Sequence, residues 1–448
     1  MKMAKKLLAV LLSIAMISSI TACSSNNSSS SGEESSGGES VAESSKPEDS
    51  EKTKLVLFGL NDFDIPDFLA AYEEENNVEV QQILQPSDKF KEAFMVAVNG
   101  GQQLDVGLIN GQDVRNYASK GIIQDLSADI EFTDRFYDNA IEQFTINDKL
   151  YAVPTANLFC MALFYNKDIF DQYNLEAPKN YDDLIAIRDA VSADGIAPIS
   201  VGAANPYDLT NWFFVNYFQA CDNKGMERTI ETLRGEAKFT DQDYVDAMKY
   251  IQQFANDNMF QDGFMGADSA ARIATFTSGK AAMYFAGTWD IPSFESAGMD
   301  LDRIGAVSWP IIKEGTKSQV SGTAAGYASV IYSASDPANK ELCIKLIDYL
   351  TSDEQCLVEL DKMGAALCAN KNVKIEDINS LNQQIQEDVV PNVVTFLDWV
   401  WPPEVTTAFA EQIQFIMAGE TTPEESMAVV QEAFDGAVAA GYDFDKVE

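Results

Sequence analysis

Apolar and polar positions change period several times along the body of this chain, and each change marks an element. Leu55-Val56-Leu57-Phe58 is an unbroken apolar run halted by Gly59, the pattern of a short buried strand. Ile65, Phe68, Leu69 and Tyr72 then fall at helical spacing, Val78, Val80 and Ile83 at strand spacing, residues 87 to 98 at helical spacing again, and Val106 to Ile109 as another apolar run. Strand, helix, strand, helix, strand predicts a mostly parallel sheet with helical crossovers. Ligands of such sheets lie beyond the carboxyl ends of the strands. Two polar clusters stand there, Asn61-Asp62 after the first strand and Asn110-Gly111-Gln112 after the third. Each either lines a site or caps the next helix.

Later helices carry their own punctuation. Asp336-Pro337 reads as an N-cap with proline at the first helical position, followed by the stripe Cys343, Leu346, Ile347 and Leu350. Ser352 with Gln355 makes a capping box, with Gly364 after that helix. Thr422-Pro423-Glu424-Glu425 opens a last helix with Met427, Val430, Phe434 and Val438 on its inner face and Gly441 at its end. No repeat of solenoid type is present.

The N-terminal segment follows a different rule. Lys2, Lys5 and Lys6 precede an apolar run from Leu7 to Ile17, shorter than the roughly 20 residues a bilayer requires. A basic start, a short apolar stretch and then small residues describe a secretory signal. Ile20-Thr21-Ala22-Cys23 resembles a lipobox, the bacterial lipoprotein signal, which implies cleavage before Cys23 and a diacylglyceryl group on its thiol. Two acyl chains anchor where one does so only marginally. Residues 24 to 53 hold twelve serines and almost nothing apolar, so they cannot offset their ordering entropy. As a coil this tether spans on the order of 30 Å. No later stretch is apolar enough to cross a bilayer, which leaves the lipid as the expected anchor.

Composition narrows the function. The remaining body of about 395 residues exceeds one ordinary core and predicts two domains. The formal net charge is −39 and grows more negative when the three signal lysines leave. That sign disfavours nucleic acid and anionic lipid as partners. With no histidine, a Ser-His-Asp triad, a Cys-His pair and any histidine-ligated metal are excluded. Besides Cys23, the cysteines are Cys160, Cys221, Cys343, Cys356 and Cys368, without zinc spacing or C-x-x-C; buried free thiols are expected. No cofactor is called for.

The most specific motif is Gly279-Lys280-Ala281-Ala282-Met283-Tyr284-Phe285-Ala286-Gly287-Thr288-Trp289. A phosphate loop is ruled out, because position 274 is Ala274 and no Ser or Thr follows Lys280. The stretch reads as a helix end, a buried strand and a glycine turn presenting Trp289. It closely resembles the bacterial extracellular solute-binding family that includes maltose-binding protein, the receptors of carbohydrate-importing ABC transporters. Leu150 to Pro154, Phe164 to Asp168 with Tyr181-Asp182-Asp183-Leu184, Leu104-Asp105-Val106, Gly322 to Gln355 and Gly419 to Glu425 carry the same likeness in the family's order, over about residues 54 to 440.

That resemblance implies a two-lobed α/β clamp, each lobe a mostly parallel sheet flanked by helices, with a ligand cleft between the lobes. It places residues 54–163 and 311–363 in the N-terminal lobe and 164–310 and 364–448 in the C-terminal lobe. Closure about the crossing strands follows a ligand's higher affinity for the closed state. The implied partners are a carbohydrate and ABC permease subunits, with the protein a monomer on the outer face of a Gram-positive-type membrane.

A pyranose offers apolar C–H faces to a flat ring and a rim of hydroxyls to carboxylates and amides. Tryptophan suits a half-wet cleft and is equally a core residue. Trp289 matches the family's stacking tryptophan, with Asp290 beside it for a hydroxyl pair. Trp399-Val400-Trp401, if extended, puts both indoles on one side. Trp212 is a further candidate, while Trp309 before Pro310 reads as structural. Asn61, Asp62, Asn110, Gln112 and Asn157 are the candidate polar groups. Maltose-binding protein carries an aromatic, an acid and an arginine where this chain has Ile109, Gln112 and Asp113, which counts against maltodextrin. A glycoside hydrolase with paired carboxylates needs no histidine and would show itself by turnover. A glycan sensor uncoupled from transport would use the same residues, and so would a polyamine receptor built on cation–π contacts.

Overall fold

The computed structural model describes residues 52–60, 66–155, 158–363, 368–374 and 378–444. The signal, Cys23, the serine-rich tether up to residue 51, Asn61, Asp62, Asn157 and Gly364 lie outside these residues. No helix among them is long and apolar enough to cross a membrane.

The first strands are β1 (Thr53–Leu60), β2 (Val78–Gln85) and β3 (Val106–Asn110), linked by the helices Pro66–Asn76 and Ser87–Asn99. β1 pairs in parallel with β2 and β3, the arrangement that helical crossovers permit. β1 runs on through Gly59, where a side chain would meet the Leu108 Cβ at 2.9 Å. That glycine permits a close strand approach and does not end the strand. A small hairpin, β4 (Thr145–Ile146) and β5 (Lys149–Leu150), precedes β6 (Val153–Thr155) and β7 (Phe159–Asn166). Then come β8 (Ala197–Ser200), β9 (Ala281–Gly287), β10 (Ile304–Val307), β11 (Val320–Thr323), β12 (Tyr327–Ile331) and β13 (Val393–Thr395).

Two sheets result. One has the order β2-β1-β3-β12-β6, the other β13-β11-β7-β9-β8 with β10 also on β7. Each covers its own apolar core. One core draws on residues between Leu55 and Val153, with Ala325 to Leu350. The other draws on residues between Cys160 and Val320, with Leu381 to Phe444. The lobes are therefore two separately packed bodies joined by short links.

Both sheets are mixed, not mostly parallel, for a common reason. β12 is antiparallel to β3 and β6, and β7 is antiparallel to β9, β10 and β11. These are the strands on which the chain enters a sheet from its neighbour, so they start at the hinge and run away from it. The remaining strands of both sheets point their carboxyl ends at the hinge. The links fall between Thr155 and Phe159 and between Thr323 and Tyr327, where the sequence placed divisions at 163/164 and 310/311. A third follows residue 371, because Cys368 to Lys371 still lies against Arg135 to Tyr137. An apolar run records a strand's burial but not which sheet buries it.

The helix signals behave as local physics dictates. Asp336 accepts from the Ala338 N–H at 2.9 Å before the helix Lys340–Leu350, and Cys343, Leu346, Ile347 and Leu350 are buried. Thr422 and Glu425 complete a capping box at the helix Pro423–Ala439. There Met427, Val430 and Phe434 face inward, whereas Val438 is 48% exposed and Ala437 takes its place. Cys160, Cys221, Cys343, Cys356 and Cys368 are all buried and carry no disulfide here.

Candidate functional site

The two links sit side by side, because Thr323 pairs with Phe159 and Tyr327 with Thr155. Gln143, in the N-terminal lobe, donates to the Ala325 carbonyl at 2.7 Å and accepts from the Thr323 hydroxyl and the Ala324 N–H. One amide thus holds the whole Thr323–Ala325 link. Tyr327 pairs with Asn110 on one side and Thr155 on the other, which brings the end of β3 to the same place.

Small residues here let rings and backbone approach. At Gly326 a Cβ would lie 1.9 Å from the Phe159 ring. Phe159 meets Tyr327 edge-on at 5.3 Å and Trp289 edge-on at 5.8 Å. Trp289, at the end of β9, folds back across Gly287, where a Cβ would be 2.3 Å from the indole. On the other side, Gly111 would place a Cβ 3.0 Å from the edge of Trp399, and its N–H donates to the Gly326 carbonyl at 2.9 Å. Trp399 stacks on Phe396 at 5.8 Å. Trp289, Phe159, Tyr327 and Trp399 therefore converge where the strand ends of both lobes meet the links. Trp289 is 37% exposed and Trp399 is half-buried, so both indoles retain a free surface.

The sequence candidates separate into groups. Trp289, Trp399, Asn110 and Gln112 are brought to this junction. Asn110 caps the turn that follows, accepting from the Gln112 N–H at 3.3 Å, so the cap reading holds for this cluster. Trp212 does not reach the junction. It is 3% exposed and edge-packed on Phe260, Phe285 and Trp309 in the C-terminal core. Trp401 is likewise interior, stacked on Phe409 at 4.3 Å. The segment is not extended: Leu397–Trp399 is a 3-10 turn, which sends the two indoles to different environments. Trp309 is fully buried. Asn61, Asp62 and Asn157 are outside the described residues.

Asp290 is placed next to the junction but is committed inward. Its Oδ2 accepts from the Tyr284 hydroxyl at 2.6 Å and lies 3.7 Å from the Arg272 guanidinium. Burial pushes its carboxyl up, and Arg272 opposes that shift. The group works as an internal anchor of the Trp289 turn. Beneath Trp399, Asp398 has its Oδ1 sealed from solvent with no hydrogen-bond partner, although the residue as a whole is only half-buried. Burial pushes this carboxyl up to about 7, against the pull of its own backbone N–H and of Lys91. Lys91 in turn pairs with the buried Asp113 at 3.0 Å. No cluster of metal-ligating side chains occurs among the described residues.

Phe159, Tyr327, Gln143 and Asp398 were not among the sequence candidates. The small-residue run Ser321-Gly322-Thr323-Ala324-Ala325-Gly326 was the available signal, since a link that touches rings from both sides has no room for side chains.

Residues 67–388 match the family described as bacterial extracellular solute-binding protein. The galactooligosaccharide-binding protein of Bacillus subtilis (strain 168) is 24% identical over 387 residues, covering 84% of this chain and 87% of its own. Among solved structures, a chitin oligosaccharide binding protein superposes with a TM-score of 0.72 at 20% identity, over 84% of this chain and 95% of its own. RafE in complex with raffinose gives 0.71 at 21% identity, over 86% and 99%. These structural likenesses show a two-lobed fold.

Proposed function

The chain belongs to the bacterial extracellular solute-binding protein family, and from that premise we propose that it captures an oligosaccharide between its lobes and hands it to an ABC permease. The observation that carries this reading is the contact of Trp289 with Phe159, of Phe159 with Tyr327 and of Trp399 with Gly111 where both sheets meet the links. Indole faces cover the apolar side of a sugar ring, and Asn110 and Gln112 supply amides for its hydroxyls. Only a ligand that touches both lobes favours the closed arrangement. Binding, not turnover, is the activity, and the residues at the junction include no histidine.

The chain is exported, cleaved before Cys23 and held by a lipid on that residue, acting as a monomer with its lobes divided at the links described above. Labelling cells with a radioactive fatty acid tests the anchor, and a Cys23→Ser chain that still carries label would refute it.

A thermal-shift screen of mono- and oligosaccharides identifies the ligand, because one present at 100 times its dissociation constant stabilises by about 2.7 kcal/mol. Trp289→Ala is expected to weaken the best ligand by about 1–3 kcal/mol, roughly tenfold or more, with the fold intact. Unchanged affinity by calorimetry would remove Trp289 from the site. Turnover of the bound sugar would overturn the receptor reading itself.

A further inference from the structure

The five described cysteines fall into two kinds. Cys221 is bonded to the Tyr217 carbonyl at 2.9 Å and Cys343 lies 3.8 Å from the Ser335 hydroxyl, while the Cys160 thiol is fully buried in the C-terminal core. Cys356 and Cys368 instead meet each other: their thiols are hydrogen-bonded, and with Leu360 they form a small apolar cluster apart from both lobe cores. Eleven residues separate them in sequence.

Their proximity is set by contacts that do not involve sulfur. Asn370, two residues after Cys368, donates to the Asp353 carboxylate at 2.7 Å. Asp353 is the first residue of the helix Asp353–Met363 that carries Cys356. The same segment is held from its other side, because the Tyr137 N–H donates to the Ala369 carbonyl at 3.0 Å and the Lys371 N–H to the Arg135 carbonyl at 2.9 Å. Both backbones are therefore fixed with the two thiols in one small cluster, the proximity that a disulfide requires.

We propose that Cys356 and Cys368 are an oxidisable pair that closes to a disulfide on the exported protein, cross-linking the helix Asp353–Met363 to the segment that leaves the N-terminal lobe. The inference rests on export and not on the identity of the ligand. The oxidant is a disulfide of the exterior, either a low-molecular-weight one such as oxidised glutathione or that of an exported thiol oxidoreductase. One cysteine, as thiolate, attacks a sulfur of that disulfide and displaces one thiol. The second then attacks the mixed disulfide, releases the other thiol and leaves the protein S–S bond. Two protein thiols lose two protons and two electrons, and one external disulfide becomes two thiols.

The contact with Cys356 and burial keep the Cys368 thiol well above its ordinary range, and Cys356 is itself buried, so external disulfides do not reach a ready thiolate once the chain has folded. Closure accordingly accompanies folding after export, and the closed bond resists small reductants.

Trypsin separates the two sites, since cleavage after Lys345, Lys362 and Lys371 puts Cys356 and Cys368 on different peptides. Full-length protein is recovered from cells quenched with iodoacetamide and digested without reductant. The expected result is one linked peptide pair, two hydrogens lighter than the sum and resolved by dithiothreitol, with the Cys160, Cys221 and Cys343 peptides alkylated. The reduced protein is expected to melt several degrees lower. Protein refolded from denaturant in oxidised glutathione provides the second arm, which needs no variant. If the Cys356 and Cys368 peptides are separately alkylated or separately glutathionylated there as well, the proposal is overturned.

Discussion

Asp290→Ala is expected to lower the stability of the protein by about 3–5 kcal/mol, the usual consequence of leaving a buried charge without its counterion. The Asp290 and Arg272 side chains are only 11% and 12% exposed. At 3.7 Å their attraction is through-space and not a direct hydrogen bond. The Tyr284 hydroxyl supplies the direct bond at 2.6 Å, and the guanidinium also lies over the Tyr284 ring at 5.5 Å. Alanine at 290 would orphan the tyrosine hydroxyl and the cation together. Arg272 already has its Nε without a partner, so it has little with which to compensate. Urea unfolding of the variant measures the loss. The double variant Asp290→Leu with Arg272→Met should recover much of it, because neither charge is then buried. A fall in ligand affinity at unchanged stability would return Asp290 to the role of a direct sugar contact. Because Trp289 occupies the same turn, the stability loss should be accompanied by weaker binding through a misplaced indole.

The contrast between Asp290 and Trp289 shows what a sequence displays and what it withholds. Gly287 two residues before Trp289 was legible as a turn, and the structure gives the physical cause, an indole lying flat over a residue with no side chain. The strands β1 to β3 and the capped helices were legible because their signals are local: periodicity, a capping box, a proline at the first helical position. Lobe membership was less so. β7 is an apolar run like any other and β11 is mostly small and polar, and only their pairing across the Phe159–Thr323 register assigns them to the second sheet. The tryptophans show the same limit. Trp212, Trp309 and Trp401 are chemically identical to Trp289 and Trp399, yet Phe254, Phe260 and Phe285 enclose Trp212, and Phe214 and Phe409 enclose Trp401, which makes them core. Composition counts indoles, and tertiary packing decides which of them keep a face for a ligand.

Asp398 provides the other large effect, and it is one of pH. Its carboxyl is pushed up to about 7, chiefly by burial, whereas an unfolded aspartate titrates near 3.9. The folded protein therefore holds this proton more tightly than the unfolded chain does. The stabilisation is complete below about pH 4, declines as pH rises toward 7, and is absent above, at roughly 1.4 kcal/mol per unit of difference. The total is up to about 4 kcal/mol. The charged groups that face the turn are Lys91 and its partner Asp113 from the N-terminal lobe. Nearby, the Tyr442 hydroxyl donates to the Val400 carbonyl at 3.2 Å and feels Arg115 and Asp443. Asp398→Asn keeps the shape and cannot ionise. The variant and the parent share every other titration, so the difference between their unfolding free energies isolates this one group. At pH 8 the variant should gain about 2–4 kcal/mol relative to its standing at pH 4, read from urea midpoints across that range. A difference that stays flat from pH 4 to 8 would mean that water reaches Oδ1 and that the carboxylate is hydrated in the folded protein. The sign matters for Trp399, which follows in the same turn. Above neutrality an ionised carboxylate with its Oδ1 buried and unbonded strains the turn that presents this indole to Gly111, and the Asn variant relieves that strain at the pH where its stability gain is largest.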